Sequence, residues 1–304
     1  MAEPYDIVVA GGGIAGLTAA LTAARLGRST LVLTGDVLGG HLLSIERVDG
    51  FPGHPEGIPG YDLCPIVQEQ ATEAGAAVAM TEVAALEADG ETWHVQSGSG
   101  EHLARAVIVA TGTSFRTLGV PGEERLFGRG VSRCASCDAP MLRGRPAVVV
   151  GGGDSALQEA LTLAGYASAV TIVTDGAELT GQSAYRDLAT SHRKIDIRHN
   201  GKVIEILGDS VVTGVRLEGG EEVVADAVFV FIGLVPNTAF VQGIVPLDDA
   251  GRIVVDGSMR TGVPGLFAAG TVRSGTVGRA TASAGDGAAA AIAADRYLAG
   301  GNRR

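Results

Sequence analysis

Two thiols separated by two residues and followed at once by a carboxylate are the most reactive feature of this chain: Cys134-Ala135-Ser136-Cys137-Asp138. That spacing lets the pair close a small disulfide ring and reopen it. If the segment opens a helix, the thiolate is favoured there. Asp138 stands where a group able to take or give the proton of thiol exchange belongs. An inert structural bridge and half of a zinc site are the other uses of such a pair. Zinc would need two more ligands. The distant Cys64 and the six histidines show no ligand spacing, so no metal is expected. Cys64 itself, among Tyr61, Leu63, Pro65 and Ile66, reads as a small buried apolar residue.

Two glycine turns flank the thiol pair. Gly11-x-Gly13-x-x-Gly16 follows the apolar run Ile7 to Ala10, opens a helical pattern from Ile14 to Leu26, and precedes a second run, Thr30 to Leu33. Gly151-x-Gly153-x-x-Ala156 repeats the plan, with Val148 to Val150 before it and Ala156 to Ala164 and Val170 to Val173 after. In such a turn the first glycine permits the tight bend and the second lets backbone approach a pyrophosphate. The third position packs the helix on its strand, and the helix amino end then faces the phosphates. At the end of the second strand, where an acidic ribose ligand is usual, the first copy has Thr34, with Asp36 two residues on. The second copy has Asp175. A carboxylate there can accept both ribose hydroxyls of NADH and repels the 2′-phosphate of NADPH. No Arg or Lys occurs between Arg145 and Arg186 to offset it. The plainer reading of Asp175 is a turn residue before Gly176. Ser155 lies inside the second phosphate turn and is not read as a nucleophile.

The elements that must position these groups follow from the repeat. Strand-like runs at Ala106 to Ala110 and Gly265 to Ala269 end in the small-residue turns Thr111-Gly112 and Gly270-Thr271, with the second glycine unit between them. Turn-rich junctions at Gly119 to Gly122 and Gly243 to Pro246 suggest an insertion. The expected fold is α/β, with two Rossmann-like dinucleotide-binding domains, the second inserted into the first. The first domain takes residues 1–115 and 244–304, and the second, carrying the thiol pair, takes 116–243. A closing helix is expected from about Thr281 to Leu298, rich in Ala and free of Pro.

Composition narrows the classes of function. A chain of 304 residues suits two domains. Its formal charge of −11 speaks against nucleic-acid or anionic-membrane partners, which need a basic footprint. Its 46 glycines are twice the usual ~7% share and show no collagen period. Glu3 and Asp6 precede the first apolar run without a basic segment, and no run of about 20 apolar residues follows. A soluble cytoplasmic protein is expected, and the close thiol pair suits a reducing compartment.

Together these residues resemble the low-molecular-weight thioredoxin reductases, FAD-dependent pyridine-nucleotide disulfide oxidoreductases. The likeness runs through Gly11 to Gly16, Gly39-Gly40, Phe51-Pro52-Gly53, Ala110-Thr111-Gly112, Cys134 to Asp138, Gly151 to Ala156, Ile232-Gly233, Pro236-Asn237-Thr238 and Phe267 to Gly270. The resemblance implies that Cys137 is the thiol nearest the flavin, that Cys134 attacks the substrate disulfide, and that Asp138 is the acid/base. It places FAD on the first turn, on Thr34, Gly39, Gly40 and His41, on Thr111 and Gly112, on Gly270 and Thr271, and on Arg279 and Ala280. The nicotinamide nucleotide falls to Gly151, Gly153, Ala156 and Asp175. A homodimer is implied, as is rotation of the inserted domain about its two junctions. The substrate implied is a thioredoxin-like protein or a small disulfide.

Four departures bear on those roles. The basic cluster that receives the NADPH 2′-phosphate is absent from Thr174-Asp175-Gly176 and Thr180, so NADH is expected over NADPH. Thr271 replaces the flavin-ribityl aspartate. Gly50 replaces an Asn, and Gly278-Arg279-Ala280 stands for Arg-Gln-Ala. The alternative reading is a dithiol oxidase or disulfide reductase of the same fold, fed by another donor such as ferredoxin. A flavin-binding regulatory protein without turnover leaves Cys134, Cys137 and Asp138 unexplained.

Overall fold

Short runs of Val, Ile and Ala closed by glycine become strands buried on both faces, as parallel sheets covered by helices require. The computed structural model describes residues 3–300. The chain first forms β1 (Tyr5–Ala10), α1 (Ile14–Arg25), β2 (Thr30–Leu33), α2 (Gly60–Glu73), β3 (Ala77–Ala79), β4 (Val83–Asp89), β5 (Thr92–Ser97), β6 (Gly100–Val109) and β7 (Thr113–Phe115). Next come β8 (Val131–Ser132), α3 (Ala135–Asp138), β9 (Pro146–Val150), α4 (Asp154–Ala164), β10 (Ala169–Val173), α5 (Ser183–Ser191) and β11 (Ile195–Arg198). Strands β12 (Val203–Leu207), β13 (Gly214–Leu217), β14 (Glu222–Val224), β15 (Ala227–Val230) and β16 (Leu234–Pro236) follow, and β17 (Leu266–Ala268) and α6 (Ala280–Leu298) close the fold. Two units result: one ends at Ser114 and resumes at Val235, and the other is Phe115–Leu234.

In the first unit the strands run β3-β2-β1-β6-β5-β4, with β17 also on β6. Strands β3, β2, β1, β6 and β17 are parallel, while β5 and β4 return antiparallel. The length of β6 lets one edge serve two partners: its start pairs with β5 at Ala104 and Trp93, and its end pairs with β17 at Val107 and Leu266. Strands β1, β2, β6 and β17 therefore end on one edge, where ligands of open α/β sheets bind. Helix α1 buries an Ala-rich face against Ala290, Ala291 and Ala294 of α6. Arg28, just past α1, pairs with Asp295 of α6 at 2.7 Å.

In the second unit the parallel sheet has the order β11-β10-β9-β15-β8, and β12-β13-β14 form a separate antiparallel sheet. Strand order reverses at β9, between β10 and β15, as it reverses at β1 between β2 and β6. Each glycine turn thus sits at a switch point.

The second junction is earlier in the chain than expected. The return falls at Leu234/Val235, and Gly243 to Pro246 is a turn inside the first unit. Long-range contacts decide this. Val241 and Val245 are buried in the first unit's core with Leu31, Val95 and Leu266. Asn237 is hydrogen-bonded to Thr111 and Gly112. Among the described residues no helix is long and apolar enough to cross a membrane.

The approach of α6 to α1 depends on Gly287, whose added Cβ would stand 2.1 Å from the carbonyl oxygen of Ala15. Gly287→Ala is expected to force the helices apart and cost about 1–3 kcal/mol. Thermal unfolding reads this as a lowered Tm, and an unchanged Tm contradicts the contact.

Candidate active site

The first unit offers a turn with space in front of it. A Cβ on Gly11 would meet the Ala110 carbonyl oxygen at 2.2 Å, and one on Gly16 the Gly11 carbonyl oxygen at 1.9 Å. Around Gly13, by contrast, nothing lies within 4 Å. Helix α1 starts after Gly13 with no side-chain cap and no acidic residue in its first turn. Its leading N–H groups are open to an anion. Helix α6 also starts without a side-chain cap or an early carboxylate, just after the exposed Arg279.

Around this edge the other expected residues gather. Gly39 and Gly40, both at positive φ, turn the chain into a short 3-10 segment, and the Gly39 N–H donates to the Gly12 carbonyl at 3.0 Å. The His41 ring Nε2 lies 3.1 Å from Thr113 Oγ1, which lies 3.5 Å from Thr271 Oγ1. Burial lowers the His41 pKa, partly opposed by a hydrogen bond with the Thr113 backbone. Thr271 also lines the approach to Gly112, whose Cβ would stand 3.5 Å from its hydroxyl. Thr34 is placed differently from an exposed ribose ligand. It is buried, its side chain packs on Gly12, and its hydroxyl donates to the carbonyls of Gly35 and Ala79. Asp36 is exposed at the same edge.

Two structural locks on this edge escaped the sequence reading. Asn237 Nδ2 donates to the Thr111 carbonyl at 2.9 Å, and the Thr111 hydroxyl donates to the Asn237 carbonyl at 2.8 Å. Arg273 grips the buried Asp286 of α6 through Nε (2.8 Å) and Nη2 (2.7 Å), and Asp286 also accepts the Gly270 N–H at 3.2 Å. The second lock fastens the Gly270-Thr271 turn to α6. Neither pair had a spacing signal, since each joins segments distant in sequence or across a turn.

The second unit carries the thiols. Cys134 and Cys137 form a disulfide, with Cys137 exposed and Cys134 half-buried. Cys134 is the N-cap of the four-residue α3, and Pro140 stops that helix by opening a 3-10 turn. The Cys137 N–H donates to Cys134 Sγ at 3.2 Å, and the Ser136 hydroxyl lies 3.3 Å from the same sulfur. Donors aimed at a sulfur favour its thiolate form. The Cys134 N–H donates to Ser132 Oγ at 3.1 Å. The next N–H, that of Ala135, donates to Glu159 Oε2 of α4 at 3.0 Å. Asp138, half-buried, gives its backbone N–H to the Cys134 carbonyl at 3.2 Å. Glu159 had a legible signal: a carboxylate at a core position of a helical stripe with Ala156, Ala160 and Leu163.

The second glycine turn repeats the first down to its neighbours. A Cβ on Gly151 would meet the Phe231 carbonyl oxygen at 2.2 Å, and Gly152 packs on the buried Thr174 as Gly12 packs on Thr34. Ala156 is fully buried against the sheet. Gly153 has only Thr180 near, at 3.8 Å. The main difference is Asp154 in the first turn of α4, which accepts from Gln182 N and Nε2, both at 2.6 Å. Asp175 is exposed just beyond β10. Topology also brings up a cation that linear spacing hid. Arg198 ends β11 opposite Val173, its carbonyl accepts the Thr174 N–H, and its Nε pairs with Asp196 at 3.1 Å.

Comparison with known proteins matches residues 5–287 to the family described as pyridine nucleotide-disulphide oxidoreductase. The chain is 42% identical over 301 residues to a thioredoxin reductase of Mycolicibacterium smegmatis, covering 97% of each protein. Among solved structures it is similar to Lactococcus lactis thioredoxin reductase, with a TM-score of 0.93, 35% identity, and 97% and 99% of the two chains covered. It is also similar to a ferredoxin-flavin thioredoxin reductase from Clostridium acetobutylicum, with a TM-score of 0.54, 29% identity, and 98% and 99% covered.

The three cysteines should separate by reactivity. Cys64 is fully buried, and desolvation pushes its thiol pKa up to about 12. After reduction and removal of reductant, a maleimide at neutral pH is expected to label Cys134 and Cys137 quickly and Cys64 only after unfolding. Peptide mass spectrometry checks the order, and rapid labelling of Cys64 in the folded protein contradicts it.

Proposed function

The chain belongs to the low-molecular-weight thioredoxin reductases, within the pyridine nucleotide-disulphide oxidoreductases, and from that membership we propose that it passes electrons from NADH, through FAD on its first unit, to Cys134 and Cys137 and on to a protein disulfide. The observation that carries the reading is the donor set on Cys134 Sγ, which supports that thiol as the nucleophile. The names of its relatives support thioredoxin or a similar protein as the partner. A homodimer in the cytoplasm fits the family resemblance and a dithiol that must be kept reduced.

The first unit fits FAD. Gly11 and Gly16 let the backbone close tightly, the space before Gly13 admits a pyrophosphate, and the open amino end of α1 faces it. Gly39, Gly40, His41, Thr111, Gly112, Gly270, Thr271, Arg279 and Ala280 would hold the rest, with Thr34 shaping the turn from behind. When bound, FAD supplies a carrier that accepts a hydride from a nicotinamide and delivers an electron pair to a disulfide. On the protein side, the Cys134 thiolate attacks one sulfur of the partner disulfide, and the partner's other sulfur leaves and takes a proton. Cys137 then attacks Cys134 Sγ, which re-forms the intramolecular disulfide and frees the reduced partner. Asp138 holds the proton that Cys137 gives up.

NADH is favoured on the second turn because Asp175 presents a carboxylate where the adenosine ribose belongs. Hydrogen bonds from the ribose hydroxyls to a charged acceptor contribute about 1.5–3 kcal/mol each. A 2′-phosphate would meet like charge, a repulsion that solvent reduces because Asp175 is exposed. Arg198 is already paired with Asp196. A second reading, reduction by ferredoxin, draws on the ferredoxin-flavin relative and on Asp154, a carboxylate in the first turn of α4.

Two outcomes test the proposal. Cys134→Ser is expected to keep flavin reduction by NADH while losing reduction of a thioredoxin disulfide by at least about a thousandfold, roughly 4 kcal/mol. Near-normal disulfide reduction by that variant contradicts the mechanism. For the donor, kcat/KM is expected to favour NADH over NADPH by about tenfold, some 1.4 kcal/mol. Asp175→Arg should shift the ratio towards NADPH, with Thr174 left intact because it packs on Gly152. A wild type that prefers NADPH overturns the role of Asp175, and reduction by ferredoxin alone moves the reading to the second donor.

A further inference from the structure

Glu159 lies in the middle of α4 and is 7% exposed, between the buried apolar residues Ala156, Ala160 and Leu163. A carboxylate in such a place is costly unless hydrogen-bonded. Its Oε2 receives the N–H of Ala135, the residue that directly follows Cys134. Three backbone donors at this corner therefore have separate acceptors. Cys134 N–H goes to Ser132, Ala135 N–H to Glu159, and Cys137 N–H to Cys134 Sγ.

We propose that Glu159 is a positioning residue for the dithiol and keeps the Cys134/Cys137 couple reducing. The inference rests on the redox reading of that pair. Two effects act together. The carboxylate anchors the first residue of α3, which fixes the turn that aims Cys137 N–H at Cys134 Sγ. It also places a carboxylate charge against the backbone of the residue that follows Cys134. A thiolate formed at Cys134 faces that like charge. The reduced form is destabilised relative to the uncharged disulfide, so the pair gives up its electrons more readily to a partner disulfide. Arg133, the nearest cation along the chain, is engaged with Glu123 at 3.6 Å and lies over the Phe127 ring.

The test measures the couple on the holoenzyme without any nucleotide. The protein is equilibrated anaerobically with mixtures of glutathione and glutathione disulfide, acid-quenched, alkylated, and read by peptide mass spectrometry. The Cys134–Cys137 bond breaks, two glutathione thiols are oxidised to one disulfide, and their two electrons and protons pass to the cysteines or, for a thiolate, to buffer. Glu159→Gln keeps an acceptor for Ala135 N–H and removes the charge. It is expected to shift the equilibrium about tenfold towards the dithiol, which for a two-electron couple is about 30 mV. Glu159→Leu removes charge and acceptor, and should add slower reduction of a protein disulfide to a shift in the same direction. A Glu159→Gln couple within twofold of wild type overturns the proposal while leaving the redox reading intact. A wild-type disulfide that stays closed in every glutathione mixture overturns both.

Discussion

A helix can aim its amino end at a phosphate only if its first turn reaches backbone contact with the strand that precedes it. Gly16 allows that approach, since a Cβ there would stand 1.9 Å from the carbonyl oxygen of Gly11. Much of the first unit follows from this contact. Helix α1 lies flat on the sheet, its other face is free to meet α6, and small residues on both helices let them come together. The closure of α6 in turn holds the Gly270-Thr271 turn through Asp286 and Arg273, which completes the edge where β1, β6 and β17 end. The second unit uses the same arrangement with Ala156 in the third position. The methyl fits because Gly151 has no side chain: a Cβ on Gly151 would crowd it at 3.3 Å.

Local patterns were legible in the sequence because local physics produces them. The two strand-glycine-helix units, the strand ends at Leu33 and Val173 and the closing helix all appear where apolar period and glycine spacing placed them. The features that escaped the sequence reading depend on contacts between distant segments. Gly243 to Pro246 has the composition of a linker, yet Val241 and Val245 on either side of its start are buried in the first unit. Thr34 occupies the ribose position by count, but its hydroxyl is used by neighbouring carbonyls. Arg198 is 23 residues beyond Asp175 in the numbering and adjacent to its loop in space, because β11 pairs with β10.

The chemistry divides along the same line. Residue types and spacing identified the dithiol, while the three-dimensional turn shows which sulfur receives the donors. A buried carboxylate on the neighbouring helix adds to this corner, since Glu159 takes the N–H of Ala135, the residue after Cys134. The two thiols are distinguished by the backbone around them and not by their identity. In the proposed relay that asymmetry lets one sulfur attack the partner disulfide while the other waits to displace the partner's thiolate.

Transfer of nucleotide electrons to the dithiol through bound flavin, as proposed, is tested most directly by an anaerobic titration of the holoenzyme with NADH. Flavin absorbance and alkylated thiols are followed together. About two molar equivalents should be consumed per chain, one for the flavin and one for the disulfide. Cys134 and Cys137 should become alkylatable as the flavin bleaches. Bleaching at about one equivalent with the disulfide still closed, or no bleaching by either NADH or NADPH, would contradict it.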